Sequence, residues 1–164
     1  MTRIRTLDAD EGMLLKNLRL SALKESPDSF SPTWEDAVEH PDDYWDELAA
    51  RIAQGQDTEV FIAEDEGEAI GLVSCVVDAD GVGHIENMWA GPMARGKGVG
   101  RQLMNAAMSY LAHKGCARIE LSVPETNQVA INMYKNLGFI FTGREEPLRE
   151  GSRLMNLNMA RVAP

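Results

Sequence analysis

Long apolar runs are missing from this chain: none approaches the roughly 18 residues a membrane helix needs. Behind Met1-Thr2-Arg3-Ile4-Arg5 no apolar stretch follows that would read as a signal peptide, so the expected location is the cytoplasm. Cysteine is scarce. Cys75 and Cys116 each stand alone, with no C-x-x-C and no histidine at ligand spacing, which removes support for a zinc site. Cys75 lies in an apolar run and reads as a small core residue. Positive charge is in deficit too: 16 Lys and Arg stand against 26 Asp and Glu, giving a net charge of −10 and a pI near 4.7. That excludes a generally basic nucleic-acid surface and mildly favours a cationic acceptor such as a polyamine or a basic peptide. There are no internal repeats and no dividing linker. The 164 residues, 44% hydrophobic and 26% charged, predict one domain spanning 1–164 with a proper core.

What is present centres on Ala94-Arg95-Gly96-Lys97-Gly98-Val99-Gly100-Arg101. Three alternating glycines lie between cations. An apolar strand-like run, His84 to Ala90, precedes them; a helical pattern of Val99, Leu103, Ala106, Ala107, Tyr110 and Leu111 follows. Glycine lets backbone N–H groups converge on a bulky ligand. The first N–H groups of a helix lack internal partners, and its dipole favours an anion there. Strand, glycine loop and helix together therefore suit a phosphate or pyrophosphate. The dinucleotide fingerprint fails, because Arg101 stands where its third glycine should be. The P-loop pattern begins as Gly91-x4-Gly96-Lys97, but Gly98 replaces the Ser or Thr that would hold magnesium. Arg/Gln-x-x-Gly-x-Gly/Ala does fit, as Arg95, Gly98 and Gly100. This stretch closely resembles the pyrophosphate-binding signature of the GNAT N-acetyltransferases.

The rest of the chain predicts a compatible order. Arg3 to Leu7 alternates like a short strand. Asp8 or Asp10 could cap a helix to about Glu25, with Met13, Leu14, Leu18, Leu20 and Leu23 inward. After a Pro- and Ser-rich loop, Thr33 could cap a helix from Trp34 to Ala53, interrupted near Pro41, with Trp34, Val38, Trp45, Leu48 and Ile52 on its face. Glu59–Glu64, Ala69–Val77 and Gly83–Ala90 read as an antiparallel meander, and Arg118–Val123 as a strand parallel to the last of them. Thr126 or Asn127 would cap a further helix bearing Ala130, Met133, Tyr134 and Leu137. Strands at Phe139–Thr142 and Arg153–Met159 would close the chain around a charged loop, Arg144–Gly151.

A second segment strengthens the resemblance. Asn127, Ala130 and Met133-Tyr134-Lys135-Asn136-Leu137-Gly138-Phe139 are similar to the family's N-x-x-A-x-x-x-Y-x-x-x-G-F. The likeness is strongest from about residue 83 to 143. It implies an α/β (α+β) fold: a mixed, mostly antiparallel central sheet of about six to seven strands, flanked by about four helices, with a splayed parallel strand pair forming the acetyl-CoA cleft. It implies transfer of acetyl from acetyl-CoA, without a metal, to a primary amine on a small molecule or peptide, by direct attack in a ternary complex. Backbone groups of Met88, Trp89 and Ala90 would pair with the pantetheine arm; Ala90 departs mildly from the family's usual Val. The pyrophosphate would meet Arg95, Gly96, Lys97, Gly98, Val99, Gly100 and Arg101. Tyr134 would be the general acid. Glu86 is the first choice of base and His84 the second, since alternation puts both, with Met88, on one strand face. Asn127 would hold the pantetheine or a water, or simply cap its helix. Phe30, Trp34, Tyr44 and Trp89 could wall the amine site, between the Ser26–Trp34 and Arg144–Gly151 loops. The alternative is a non-catalytic acyl-CoA-binding or regulatory module on the same fold. The acceptor stays open, as does a homodimer pairing the last strands.

Overall fold

The computed structural model describes the whole chain, Met1–Pro164. Seven strands form one sheet: β1 (Thr2–Thr6), β2 (Thr58–Asp65), β3 (Glu68–Val77), β4 (Gly83–Ala90), β5 (Arg118–Pro124), β6 (Ile140–Pro147) and β7 (Met155–Val162). Their spatial order is β1-β2-β3-β4-β5-β7-β6, and every pair is antiparallel except β4 with β5. Five α-helices flank the sheet: α1 (Gly12–Glu25), α2 (Trp34–Val38), α3 (Asp42–Ala53), α4 (Val99–His113) and α5 (Gln128–Asn136). None is long and apolar enough to cross a membrane.

Local chemistry explains most boundaries. Glu66 and Gly67, both at positive φ, turn β2 into β3. Thr33 caps α2 by accepting from the Asp36 N–H at 3.2 Å. Pro41 divides the expected second helix into α2 and α3, because proline cannot continue the ladder and instead sits at the N-terminus of α3. That raises the helix count from four to five. Neither Asp8 nor Asp10 caps α1; its N-cap is Glu11, whose carboxylate bonds to Arg5 and to the Asp8 N–H.

The sheet separates two apolar cores. Beneath one face, α4 inserts Val99, Leu103, Met104, Ala107, Met108 and Leu111. The stripe is wider than expected: Met104 and Met108 join it, Tyr110 packs at its edge, and Ala106 lies outside it. On the other face, Leu15, Leu18, Trp45, Ala49 and Ile52 from α1 and α3 cover the β1–β4 half with Val60, Ile62 and Leu72. Met13 and Val38 are exposed rather than inward. Residues Arg144–Pro147, expected in a loop, extend β6 instead, since they find a ladder on β7. No helix covers the β5–β7 half on the α1 side, and a polar surface is left open there.

The two helices of the second core meet closely at Gly12. A Cβ placed there would lie 2.7 Å from the Asp46 Cα and 2.7 Å from its backbone N, neither of which can rotate away. Gly12→Ala should therefore destabilise the fold by about 1–3 kcal/mol through overpacking. A urea midpoint equal to wild type would show that α1 and α3 do not approach this closely.

Candidate functional site

Three residue pairs join β4 to β5: Gly83 with Ile119, His84 with Glu120, and Ile85 with Leu121. There the ladder stops. Beyond it, β4 stays paired to β3 through Ala90, and β5 stays paired to β7 through Pro124. The facing edges of Glu86–Ala90 and Ser122–Pro124 thus separate with their backbone groups unpaired, normally a liability in a sheet.

The local cause is a β-bulge. Leu72 and Ser74 of β3 oppose Trp89 and Glu86, leaving one extra residue on β4, and Asn87 takes φ +53°. Asparagine tolerates this left-handed conformation better than most residues. The bulge also breaks side-chain alternation. Ile85 and Met88 both pack on the α4 side, whereas Trp89 joins the α1–α3 core. The expectation that His84, Glu86 and Met88 share a face is therefore corrected: Met88 is turned to the opposite side.

Between the parted edges lies a cleft of about 620 Å³. Met88, Trp89 and Ala90 form one wall; Asn127, with Ala130, Met133 and Tyr134 of α5, contributes to the other. One end is closed by the glycine loop, where Gly96 at φ +78° and Gly98 at φ +75° adopt conformations that a side chain would strain. The Gln102 N–H is the first to bond back into the helix, to the Gly98 carbonyl, so those of Val99, Gly100 and Arg101 are left free at the positive end of α4. Gly100 packs against other parts of the site: a Cβ there would sit 3.2 Å from Met133 Sδ and 3.3 Å from Met88 Cε, both flexible side-chain ends.

The loop's cations are placed unequally. Arg95 and Arg101 line the cleft; Lys97 does not, and its ammonium stands 4.0 Å from the Asp65 carboxylate. Arg95 is ion-paired with Glu25 at the end of α1, and Glu25 also accepts from Trp89 Nε1 at 3.3 Å. Burial pushes the Glu25 carboxyl up, but hydrogen bonds from Ser26, Arg95 and Trp89 more than offset this and hold it below the usual carboxylate range.

Tyr134 is buried at the cleft floor, its ring edge-on to Phe139 with centroids 6.1 Å apart. Burial raises its phenol well above the ordinary 10, so the group stays protonated. Asn127 caps α5, its Oδ1 accepting from the Ala130 N–H at 3.2 Å, and lines the cleft as well.

A second cavity of about 590 Å³ opens on the uncovered polar sheet face and shares Phe30, Glu86, Asn87 and Ser122 with the first. Glu86 is exposed and reaches both. His84 lines only the second cavity, with Nε2 2.8 Å from Asp78 Oδ2, and sits where β4 and β5 are still paired. Among the aromatic residues expected around the amine, Phe30 and Tyr44 line this cavity. Trp34 lines neither; Lys24 stacks over its ring at 5.4 Å. Trp89 belongs to the core, 9% exposed.

Sequence reading missed three features here. Asn87, the bulge residue, carries no pattern in one dimension. Arg149 ties two loops over a hundred residues apart by donating to the carbonyls of Ser31 (3.1 Å), Pro27 (2.7 Å) and Phe30 (2.7 Å), and of these Phe30 and Ser31 line the second cavity. Arg19 lines the same cavity. It left a signal, because it occupies a core-facing place in the helical series Gly12, Leu15, Arg19, Ala22.

A mostly antiparallel seven-stranded sheet parted at its single parallel junction, with a glycine loop opening a helix at the mouth of the gap, is the acyl-CoA N-acyltransferase fold. The chain belongs to the acetyltransferase (GNAT) family, whose model matches residues 20–139. It is 30% identical over 146 residues to a mycothiol acetyltransferase from Thermobispora bispora, covering 84% of this chain and 46% of that protein. It is 37% identical over 68 residues to streptothricin acetyltransferase from Streptomyces lavendulae, covering 42% and 36%. The matched stretches thus span less than half of these curated relatives. In fold it is similar to an acetyltransferase from Salmonella typhimurium solved with acetyl-CoA, with a TM-score of 0.82 at 17% identity over 100% of this chain and 95% of the other.

The Arg149 clamp makes a local prediction. Arg149→Ala should speed amide hydrogen exchange in residues 27–31 by at least about tenfold, with a global loss near 1 kcal/mol. Unchanged exchange there would mean the loops are held independently of Arg149.

Proposed function

We propose that this protein is an N-acetyltransferase that moves the acetyl group of acetyl-CoA to a primary amine by direct attack in a ternary complex. The observation that carries this reading is the junction of the parted β4 and β5 edges with the glycine loop of α4, over a protonated tyrosine. The similarity to mycothiol and streptothricin acetyltransferases supports it.

Each part of the donor meets a group suited to it. The pantetheine arm carries amides that can pair with the free backbone edge of Met88–Ala90, adding a strand to the sheet. The pyrophosphate sits on the free N–H groups of Val99, Gly100 and Arg101, with Arg95 and Arg101 adding charge. For this, Arg95 exchanges Glu25 for phosphate. Asn127 caps α5 and borders the pantetheine path. The Lys97 ammonium, turned toward Asp65, contributes only at longer range.

The chemistry divides between two groups. A primary amine near pKa ~10 arrives mostly as ammonium and must lose a proton before attack. Glu86 is the base, because it alone among the candidate bases borders both cavities; His84 is held by Asp78 further along the paired strands. As the amine adds to the thioester carbon and the C–S bond breaks, Tyr134 donates its proton to the departing sulfur. Its buried, neutral state fits a donor and disfavours a base.

Gly98→Asp should weaken coenzyme A binding by at least about tenfold, through a carboxylate facing phosphate and a strained left-handed residue. Undiminished affinity by calorimetry would place the pyrophosphate elsewhere. Tyr134→Phe should lower kcat by about 10²-fold with little change in cofactor affinity. The acid works while protonated, and activity is lost only as pH rises through its pKa. Burial sets that pKa above 10, so wild-type kcat should show no descending limb from this group up to pH 10. Wild-type turnover in the phenylalanine variant would remove Tyr134 from the mechanism; full activity with Asp at position 98 would contradict the whole reading.

A further inference from the structure

Arg19 projects from α1 into the second cavity beside Tyr44 and across from Glu86. It is partly buried and makes no hydrogen bond or ion pair within the chain, in contrast to Arg95, Arg144 and Arg149, which all have partners. Burial strips water from the guanidinium and lowers its pKa, opposed in part by Tyr44 and by Glu86, which is near enough to be felt but forms no ion pair. Leaving a cation so placed without a partner is costly.

The facing sheet surface has complementary loose ends. Glu86 is unpaired. The Oδ1 atom of Asn156 is buried with no donor. Of the other charged or titratable lining groups, Glu120 pairs with Arg144 and with Arg118 at 3.4 Å and His84 with Asp78, while Glu146 has no partner. Glu146 stands exposed at the rim. The cavity thus offers one free cation on the helix wall and a free carboxylate with a buried acceptor on the sheet wall. Those are the needs of a zwitterion. Between them, Leu48, Ile52 and Val60 supply an apolar lining.

Taking the acetyl-transfer reading as its basis, we propose that the acceptor is an amino carboxylate: Arg19 holds its carboxylate, and Glu86 with Asn156 receives its amine. Arginine suits this task because its planar fork matches both carboxylate oxygens. The ammonium first releases a proton to Glu86. The free amine then forms the N–C bond as the C–S bond breaks, the sulfur takes the Tyr134 proton, the proton left on nitrogen restores the tyrosine through solvent, and Glu86 releases its own proton to solvent. The products are an N-acetylamino carboxylate and free coenzyme A. A polyamine is disfavoured, since its second ammonium would meet Arg19. The acidic overall charge does not reverse this, because exposed charges more than about 10 Å away are screened.

The test is thiol release from acetyl-CoA with sets of three acceptors: an amino acid, its amide and its decarboxylated amine, with leucine first for the apolar lining and spermidine alongside. Expected for wild type is a kcat/KM at least tenfold higher for the acid than for its amide or amine. In Arg19→Gln that ratio should collapse toward one, chiefly through KM for the acid; Arg19→Lys should restore part of it. A general folding defect would lower all three acceptors together and leave the ratio intact. Preference for spermidine or the decarboxylated amines, or a ratio that survives Arg19→Gln, overturns the inference while the acetyltransferase reading stands. Absence of both coenzyme A binding and turnover on every amine overturns that reading and this inference with it.

Discussion

The structure depends on an incomplete ladder. Three pairs bind β4 to β5, enough to keep the sheet continuous and the α4 crossover in place. A fully zipped junction would satisfy more backbone groups but leave no cleft. The bulge at Asn87 tilts β4 away while β3 still holds it, so the opening costs one irregular residue rather than a lost strand. The tightly packed α4 core beneath keeps the gap from collapsing, because Val99, Leu103 and Met104 already fill the space that a shifted strand would need.

Charge is distributed around that gap in a way that composition does not show. The chain carries a net −10, yet cations concentrate at the glycine loop, and one further arginine sits alone in the second cavity. Glu25 links the two regions: it lies on the same helix as Arg19 and pairs with the loop's Arg95. Its carboxylate holds that arginine in an ion pair. Local pairing, rather than the overall sum, sets what each cavity can bind.

Elements with strong period or punctuation were legible. β4 was bounded at Gly83 and Ala90, the β2–β3 turn at Glu66-Gly67 was placed, and the glycine loop opened α4 as expected. Failures came where a partner decided the outcome. The α4 stripe widened onto Met104 and Met108 because the twisted sheet, absent from a helical wheel, sets how much of the helix is covered. Arg144–Pro147 became strand because β7 offered a ladder. Trp34 looked like a binding aromatic and instead stacks under Lys24.

By itself, then, the sequence determined the family, the loop that ends in a left-handed Gly98, and the tyrosine on α5, because each is written in residues close together along the chain. The tertiary structure alone decided where the sheet parts, which face Met88 takes, that Glu86 borders both cavities while His84 does not, and that Arg19 stands unpaired opposite it. These depend on register, twist and the meeting of distant segments. Short-range spacing carries no record of them, since the energies that select them arise only when the strands and helices pack.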